Sequence, residues 1–270
     1  MLRLVPRASG GGRIAAVELA SGASISAGST VLATAGWASE MLRTHGLDLP
    51  TLRLHATAGK TSPVVPAAGS DGSDGSAGSV GSDGVCAGSF PSAGVWAKGC
   101  SFRLRPDGRL TIADGGFREE HDFGLESLIS GTRFLPALSH FWRQTNLKFR
   151  SESFPSPRED ACPMPNPNRL QAALAELAEL LPALPPLRIE EAWAGFLDVT
   201  PDMLPVMDAS ALDGVTVMAG FSGHGLGLAP AAGRLGAALA MREEGADDEV
   251  QDFRLGRFRE TWWIGPQSLV

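Results

Sequence analysis

The residues best placed to do chemistry lie between Val215 and Met241, VTVMAGFSGHGLGLAPAAGRLGAALAM. Val215 to Ala219 is a short apolar, β-branched run, the pattern of a buried strand. Gly220, Gly223, Gly225 and Gly227 follow, and after Pro230 an Ala/Leu-rich run to Met241 has the composition of a helix. Strand, glycine turn and helix in this order can bring backbone N–H groups close to an anion or a flat cofactor. Glycine suits such a turn because a Cβ would hold the ligand away and would resist a positive φ. His224 lies between two glycines of the turn, so little local bulk shields its imidazole. The GxxGxGxG spacing is not the GxGxxG dinucleotide fingerprint. The alternative is a tight turn that packs a small-residue helix on a sheet.

Other elements must position this turn. Arg13 to Leu19 reads as a strand, Ser21-Gly22 as a turn, and Ser29 to Gly36 as a near-continuous apolar strand covered on both faces. Ligands of open α/β sheets sit beyond such carboxyl ends. Trp37 to Thr44 begins a helix with Glu40 in its first turns. Gly10 to Gly12 is a hairpin turn and not a phosphate loop, because no apolar strand precedes it. Residues 51–63 are strand-like and carry Arg53, His55 and Lys60. Ala67 to Gly84 is low-complexity Gly/Ser/Asp with almost nothing to bury, so a mobile surface loop is expected. Its aspartates lack the EF-hand pattern. Ser101 to Arg105, Pro106-Asp107-Gly108 and Arg109 to Ala113 form a β-hairpin pattern. Phe123 to Lys148 is expected to be partly helical. Asn168 is a suitable N-cap for a helix from Arg169 to Leu181, where Leu170, Leu174, Leu177 and Leu181 recur at helical spacing. Pro182, Pro185 and Pro186 end it, and Arg188 to Trp193 starts a further strand. Trp96 and Trp193 are expected in the core.

Composition narrows the function class. The chain has 270 residues, 43% hydrophobic and 20% charged, with net charge -7 and pI near 5.3, so it lacks the clustered basic charge that nucleic acid requires. Its apolar runs are too short and too glycine-rich for the roughly 20 residues of a membrane span. No apolar segment follows Arg3 and Arg7 to make a secretory signal. Cys86, Cys100 and Cys162 have no metal-ligand spacing, and an odd count fits a reducing, cytoplasmic setting. With no tyrosine in the chain, no phenol can hold a substrate carboxylate.

Five segments, in order, resemble the C-terminal portion of the FAD-dependent glycine/D-amino-acid oxidase family, which includes sarcosine oxidases and related amine dehydrogenases. They are Val31 to Ser39 (VLATAGWAS), Arg103 to Gly115 (RLRPDGRLTIADG), Trp193 to Asp208 (WAGFLDVTPDMLPVMD), Gly220 to Leu226 (GFSGHGL) and Asp252 to Phe258 (DFRLGRF). The resemblance implies a mixed α/β (α+β) fold with an incomplete Rossmann-like FAD-binding lobe and an antiparallel-sheet substrate lobe. Residues 1–45 and 191–250 would belong to the first lobe and 46–190 to the second, with 67–84 an insertion and 251–270 a tail. It implies non-covalent FAD near Ala35, Gly36, Trp37, Gly220, Phe221, Ser222, Gly223, His224, Gly225 and Leu226. It further implies hydride removal from the C–N bond of an amino-acid or secondary-amine substrate.

The chain also departs from the family pattern. The family's opening strand with GxGxxG, which grips the ADP half, has no counterpart here, so a truncated product or a partner chain supplying that half is expected. The arginine that many relatives carry shortly after WAG is replaced by Leu197 and Asp198. Asp198 can attract an amine or cap a turn, and Asp202 is expected to bond backbone within its own turn. Arg53, Lys60, Lys98 and Arg103 are candidate substrate-facing cations or solvated surface charges. His224 is the candidate catalytic residue, through its imidazole or the flanking N–H groups, with a loop-shaping histidine as the alternative. A protein that keeps the fold without binding FAD is the other reading of the whole chain.

Overall fold

A computed structural model describes residues 3–7, 12–64, 93–97, 99–114, 120–124, 146–150 and 163–260. The expected loop at 67–84, Cys86, Lys98, Cys162 and most of the stretch from 123 to 148 lie outside these. In chain order the first elements are β1 (Arg3–Pro6), β2 (Ile14–Glu18), β3 (Ser24–Ser26), β4 (Thr30–Leu32), a 3-10 turn at Ala35–Trp37, and α1 (Ala38–Arg43). Next come β5 (Leu52–Pro63), β6 (Val95–Trp96), β7 (Cys100–Leu104), β8 (Arg109–Asp114), β9 (Glu120–Gly124) and β10 (Asn146–Arg150). The last are α2 (Pro167–Leu180), β11 (Ile189–Val199), β12 (Val206–Leu212), β13 (Val215–Ala219), α3 (Gly225–Met241), α4 (Ala246–Glu249) and α5 (Arg257–Glu260).

The chain divides into two compact units, one of Met1–Leu54, His121–Ala161 and Phe196–Val270, the other of His55–Glu120 and Cys162–Gly195. In the first unit β1, β2 and β3 form an antiparallel meander. A second sheet has the order β12-β13-β4, antiparallel between β12 and β13 and parallel between β13 and β4. Strand periodicity sends Val215, Val217 and Ala219 of β13 into one core with Leu4, Ile14, Leu32 and Leu42. Met218 points the other way, into a core with Ala232 and Leu239 of α3 and Val250. All five residues of β13 are therefore buried. At roughly 1.5–3 kcal/mol per fully buried aliphatic side chain, these two cores dominate the energetics of the unit.

The C-terminal segment is tied on by charge. Asp202 takes Arg257 in a two-pronged pair at 2.8 and 3.2 Å and also accepts Leu204 N–H, while Asp208 accepts Leu255 N–H at 2.8 Å. Asp202 thus does bond backbone in its own turn, and it anchors Arg257 besides.

The second unit is an antiparallel sheet in which β5, β8, β7 and β6 are neighbours and β11 also pairs with β5. The β7–β8 hairpin turns through Arg105 to Gly108, with Gly108 at φ +72°, as Pro-Asp-Gly predicts. Helix α2 packs Leu170, Ala173 and Leu177 inward, the last two against Phe102, Leu110 and Ile112. Its cap is Asn166 and not Asn168: the Asn166 side chain accepts the Asn168 N–H, and Pro167 takes the first helical position, where a missing N–H costs nothing.

Three further expectations are corrected. β4 has only three residues, and Val31 at 49% exposure shows that it is not covered on both faces. Helix α3 starts at Gly225, five residues before Pro230, which lies inside it. Trp96, on a two-residue strand, is 68% exposed and Trp193 is 41% exposed, so neither is a core residue. The described ends of the 123–148 stretch are strand, in β9 and β10, and the helix expected between them lies outside the described residues.

Candidate functional site

Parallel pairing of β4 and β13, with Val215 opposite Thr30 and Val217 opposite Leu32, puts their carboxyl ends side by side. Each strand runs into a left-handed turn and then a helix. After β4, Ala35 has φ +45° although it is not glycine, and the turn at Ala35–Trp37 leads into α1. After β13, Gly220, Ser222 and Gly223 have φ of +69°, +50° and +82°, and α3 begins at Gly225. A left-handed non-glycine residue costs on the order of 1–3 kcal/mol and persists only where its surroundings hold it. Two of them, Ala35 and Ser222, stand at adjacent strand ends, the position where α/β sheets commonly meet their ligands.

The holding contacts at the second turn are visible. Ser222 Oγ donates to Gly220 O at 3.1 Å and accepts Thr200 N–H at 3.3 Å, while Ser222 N–H donates to Asp198 O at 3.0 Å. Thr200 Oγ1 donates to Leu204 O at 2.8 Å. A Cβ on Gly220 would stand 2.4 Å from Thr200 Cγ2, so the glycine is needed for space as well as for φ. The Asp198 carboxylate, 6% exposed, accepts the Gly220 N–H. Burial pushes the Asp198 carboxyl above its ordinary range, against the opposing pull of the Gly220 N–H and the Arg53 charge. At the first turn, Arg53 is buried and donates to Gly36 O. Its guanidinium stands 5.4 Å from the Trp37 ring centre, and Trp37 meets Phe196 edge-on at 6.4 Å.

All ten sequence-predicted residues therefore fall on these two turns: Ala35, Gly36 and Trp37 after β4, Gly220 to Leu226 after β13. Gly223, His224 and Leu226 are exposed, Leu226 at 90%. His224 occupies the N-cap position of α3, its carbonyl accepting Leu228 N–H at 3.2 Å, and its side chain makes no capping bond. The amides of Gly225, Leu226 and Gly227 are in the first turn of a 17-residue helix, where backbone N–H groups favour negative charge. Beside them, Val31 and Ala33, Met218 and Phe221, and Ala229 and Gly236 of α3 line an apolar groove of about 390 Å3. Of the candidate cations, Arg53 is at the Gly36 turn. Lys60, in the second unit, is paired with Glu191 at 2.5 Å, and the Glu191 carboxyl is held below its ordinary range by that lysine. Arg103, also in the second unit, is exposed. Of the two roles expected for Asp198, the turn cap is the one seen, on the Gly220 turn, whereas the bond from Arg53 to Gly36 was not predicted. No sequence signal set these two apart, because β5 also carries His55 and Lys60 and β11 also carries Glu190 and Glu191.

Adjacent parallel strands that end in glycine-bearing turns at helix N-termini are a layout on which α/β sheets commonly bind nucleotide cofactors. A family model described as FAD dependent oxidoreductase matches residues 3–239, and the chain belongs to that family, whose cofactor is FAD. Among solved structures it is similar to the L-amino acid deaminases of Proteus myxofaciens (20% identity, TM-score 0.72) and Proteus vulgaris (22%, TM-score 0.70). Both alignments cover 95% of this chain, and 55% and 56% of theirs. It is also similar to glycine oxidase from Geobacillus kaustophilus, at 20% identity and TM-score 0.59 over 95% of this chain and 52% of the other. A probable oxidoreductase, OrdL, of Rhizobium meliloti is 31% identical over 94 residues, 34% of this chain and 22% of the relative. The chain thus spans about half the length of the solved relatives it matches.

Proposed function

We propose that this chain carries the flavin-facing part of an FAD-dependent oxidoreductase that oxidises the C–N bond of an amino acid or a secondary amine. The observation that carries this reading is the pair of left-handed turns at the carboxyl ends of β4 and β13, each opening a helix. The residues present suit such a group: the open Gly223 to Gly227 backbone and the α3 amides favour negative charge, and the adjoining groove is apolar. Bound flavin would supply the hydride acceptor. The chain's own part is to hold the cofactor through Ala35, Gly36, Trp37 and Gly220 to Leu226, and to place His224 and its flanking N–H groups against developing negative charge. No cysteine stands in either turn, so no cysteinyl bond to the flavin can form there, and a non-covalent cofactor is the reading. The substrate is a small amine or amino acid, and the setting is cytoplasmic. Among the described residues no helix is long and apolar enough to cross a membrane.

A second reading has its own support. β4 is an edge strand with Val31 exposed beside the apolar groove, and about half of each solved relative has no counterpart here. A partner chain or further segment laid along β4 would complete the sheet in the first reading. In the second, the chain is a non-catalytic fragment or subunit that keeps the fold without FAD.

Titration of the purified protein with FAD, followed by flavin fluorescence and visible absorbance, separates them. Saturable binding that Gly223→Val weakens about tenfold or more is the expected result, because φ there is +82°. No binding at all would favour the second reading.

A further inference from the structure

Asp198 and Arg53 are two buried charges that the proposed reaction does not use. Asp198 sits near the end of β11 and its carboxylate takes the Gly220 N–H. Arg53 sits near the start of β5 and takes the Gly36 carbonyl. Each therefore holds the main chain of one of the two turns, in one compact unit. A third contact joins the same partners: Phe196, two residues before Asp198 and on the same face of β11, meets the Trp37 ring that lies beneath the Arg53 guanidinium. Among the described residues Glu40 of α1 also stands near Arg53, at 3.9 Å, and is itself partly exposed.

We propose that Asp198 and Arg53 are a pair of positioning residues, a charged brace that fixes the Gly220 turn relative to the Gly36 turn, so that both strand ends present their backbone to one ligand. The ligand part of this inference rests on the flavin reading above; the brace does not. Its chemistry explains why the acceptor is a carboxylate. A neutral amide would satisfy the Gly220 N–H equally well, and burial opposes ionisation at Asp198. The Arg53 cation favours the ionised carboxyl against the cost of its burial, while the Arg53 donor stays on Gly36. The brace also accounts for the place where Asp198 stands, in the stretch after WAG, without giving it a substrate to bind.

Amide hydrogen exchange on the flavin-free protein tests the brace directly, comparing wild type with Asp198→Ala, Asp198→Asn and Arg53→Lys. Asp198→Ala should speed exchange about tenfold or more in peptides covering 218–223, through loss of a charge-assisted bond, and also in those covering 34–37. Asp198→Asn should restore protection at 218–223 while leaving 34–37 fast, because it returns the acceptor but not the charge. Arg53→Lys keeps the charge and loses the planar donor, so it should loosen 34–37 and leave 218–223 protected. If Asp198→Ala loosens 218–223 alone, Asp198 is a local turn cap and the brace is wrong. The same variants titrated with FAD test the ligand half: about tenfold weaker binding for Asp198→Ala with partial rescue by Asn is expected. Wild-type affinity in Asp198→Ala would overturn it. A wild-type protein that binds no FAD would sink the flavin reading while the exchange result still decides the brace.

Discussion

β4 and β13 lie side by side in one sheet and end in turns of the same kind, yet they are built differently. β13 is buried at every residue, with Val217 at 0% and Met218 at 7% exposure, and its turn is held by Asp198, Thr200 and Ser222. β4 has three residues, one of them a half-exposed valine, on the open edge of the sheet. Parallel strands are normally covered on both faces. The difference teaches that β13 and its turn are finished by this chain's own packing, whereas β4 leaves Val31 half exposed among the described residues. Of the two turns, the one after β13 is thus held by side chains of this chain, while the strand before the other stays partly exposed.

Four substitutions break or sharpen that contrast. The largest effect belongs to Gly220→Val, which forces a β-branched residue to φ +69° and drives Cβ against Thr200. A loss of about 4 kcal/mol, strain plus overpacking, is expected in chemical denaturation. Val217→Ala in β13 should cost about 2 kcal/mol by the same measurement, for two deleted methyls and the space they leave. The Asp198 carboxyl gives an intermediate, pH-dependent effect. Because its folded-state pKa lies above the unfolded value, its favourable contribution is complete below the ordinary carboxylate range and is lost as pH rises through the folded pKa. Asp198→Asn should therefore melt with the wild type in acid and above it near neutrality; equal melting temperatures at every pH would contradict the burial of a charged group there. Val31→Ala is the smallest, within about 0.5 kcal/mol. If Val31→Ala proved as costly as Val217→Ala, the contrast between the two strands would fail.

The sequence made part of this legible and hid the rest for definite reasons. β13 could be read because a run of β-branched residues before Gly220 has few alternatives. The Pro-Asp-Gly hairpin between β7 and β8 could be read from turn chemistry alone. The start of α3 could not: Gly225 and Gly227 look like loop, and Pro230 looks like a first helical residue. Yet the helix forms because its first amides need no partner and its small residues pack on Met218, which stands 3.0 Å from where a Gly236 Cβ would be. The exposure of Val31 was hidden because apolar residues look alike whether covered or not. The partners of Asp198, Asp202 and Arg53 were hidden because no local pattern pairs Asp202 with Arg257, or joins Asp198 to a glycine in the next strand but one. The ten candidate site residues could be proposed from sequence because they are local to the two strand ends.

The central claim is that the two turns together form the surface against which flavin lies. Hydrogen exchange of the protein with and without saturating FAD tests it most directly. Slower exchange confined to peptides covering 33–38 and 219–228, with the β7–β8 hairpin unchanged, is the result expected. Bound FAD that leaves both of those segments exchanging at their free rates would contradict it.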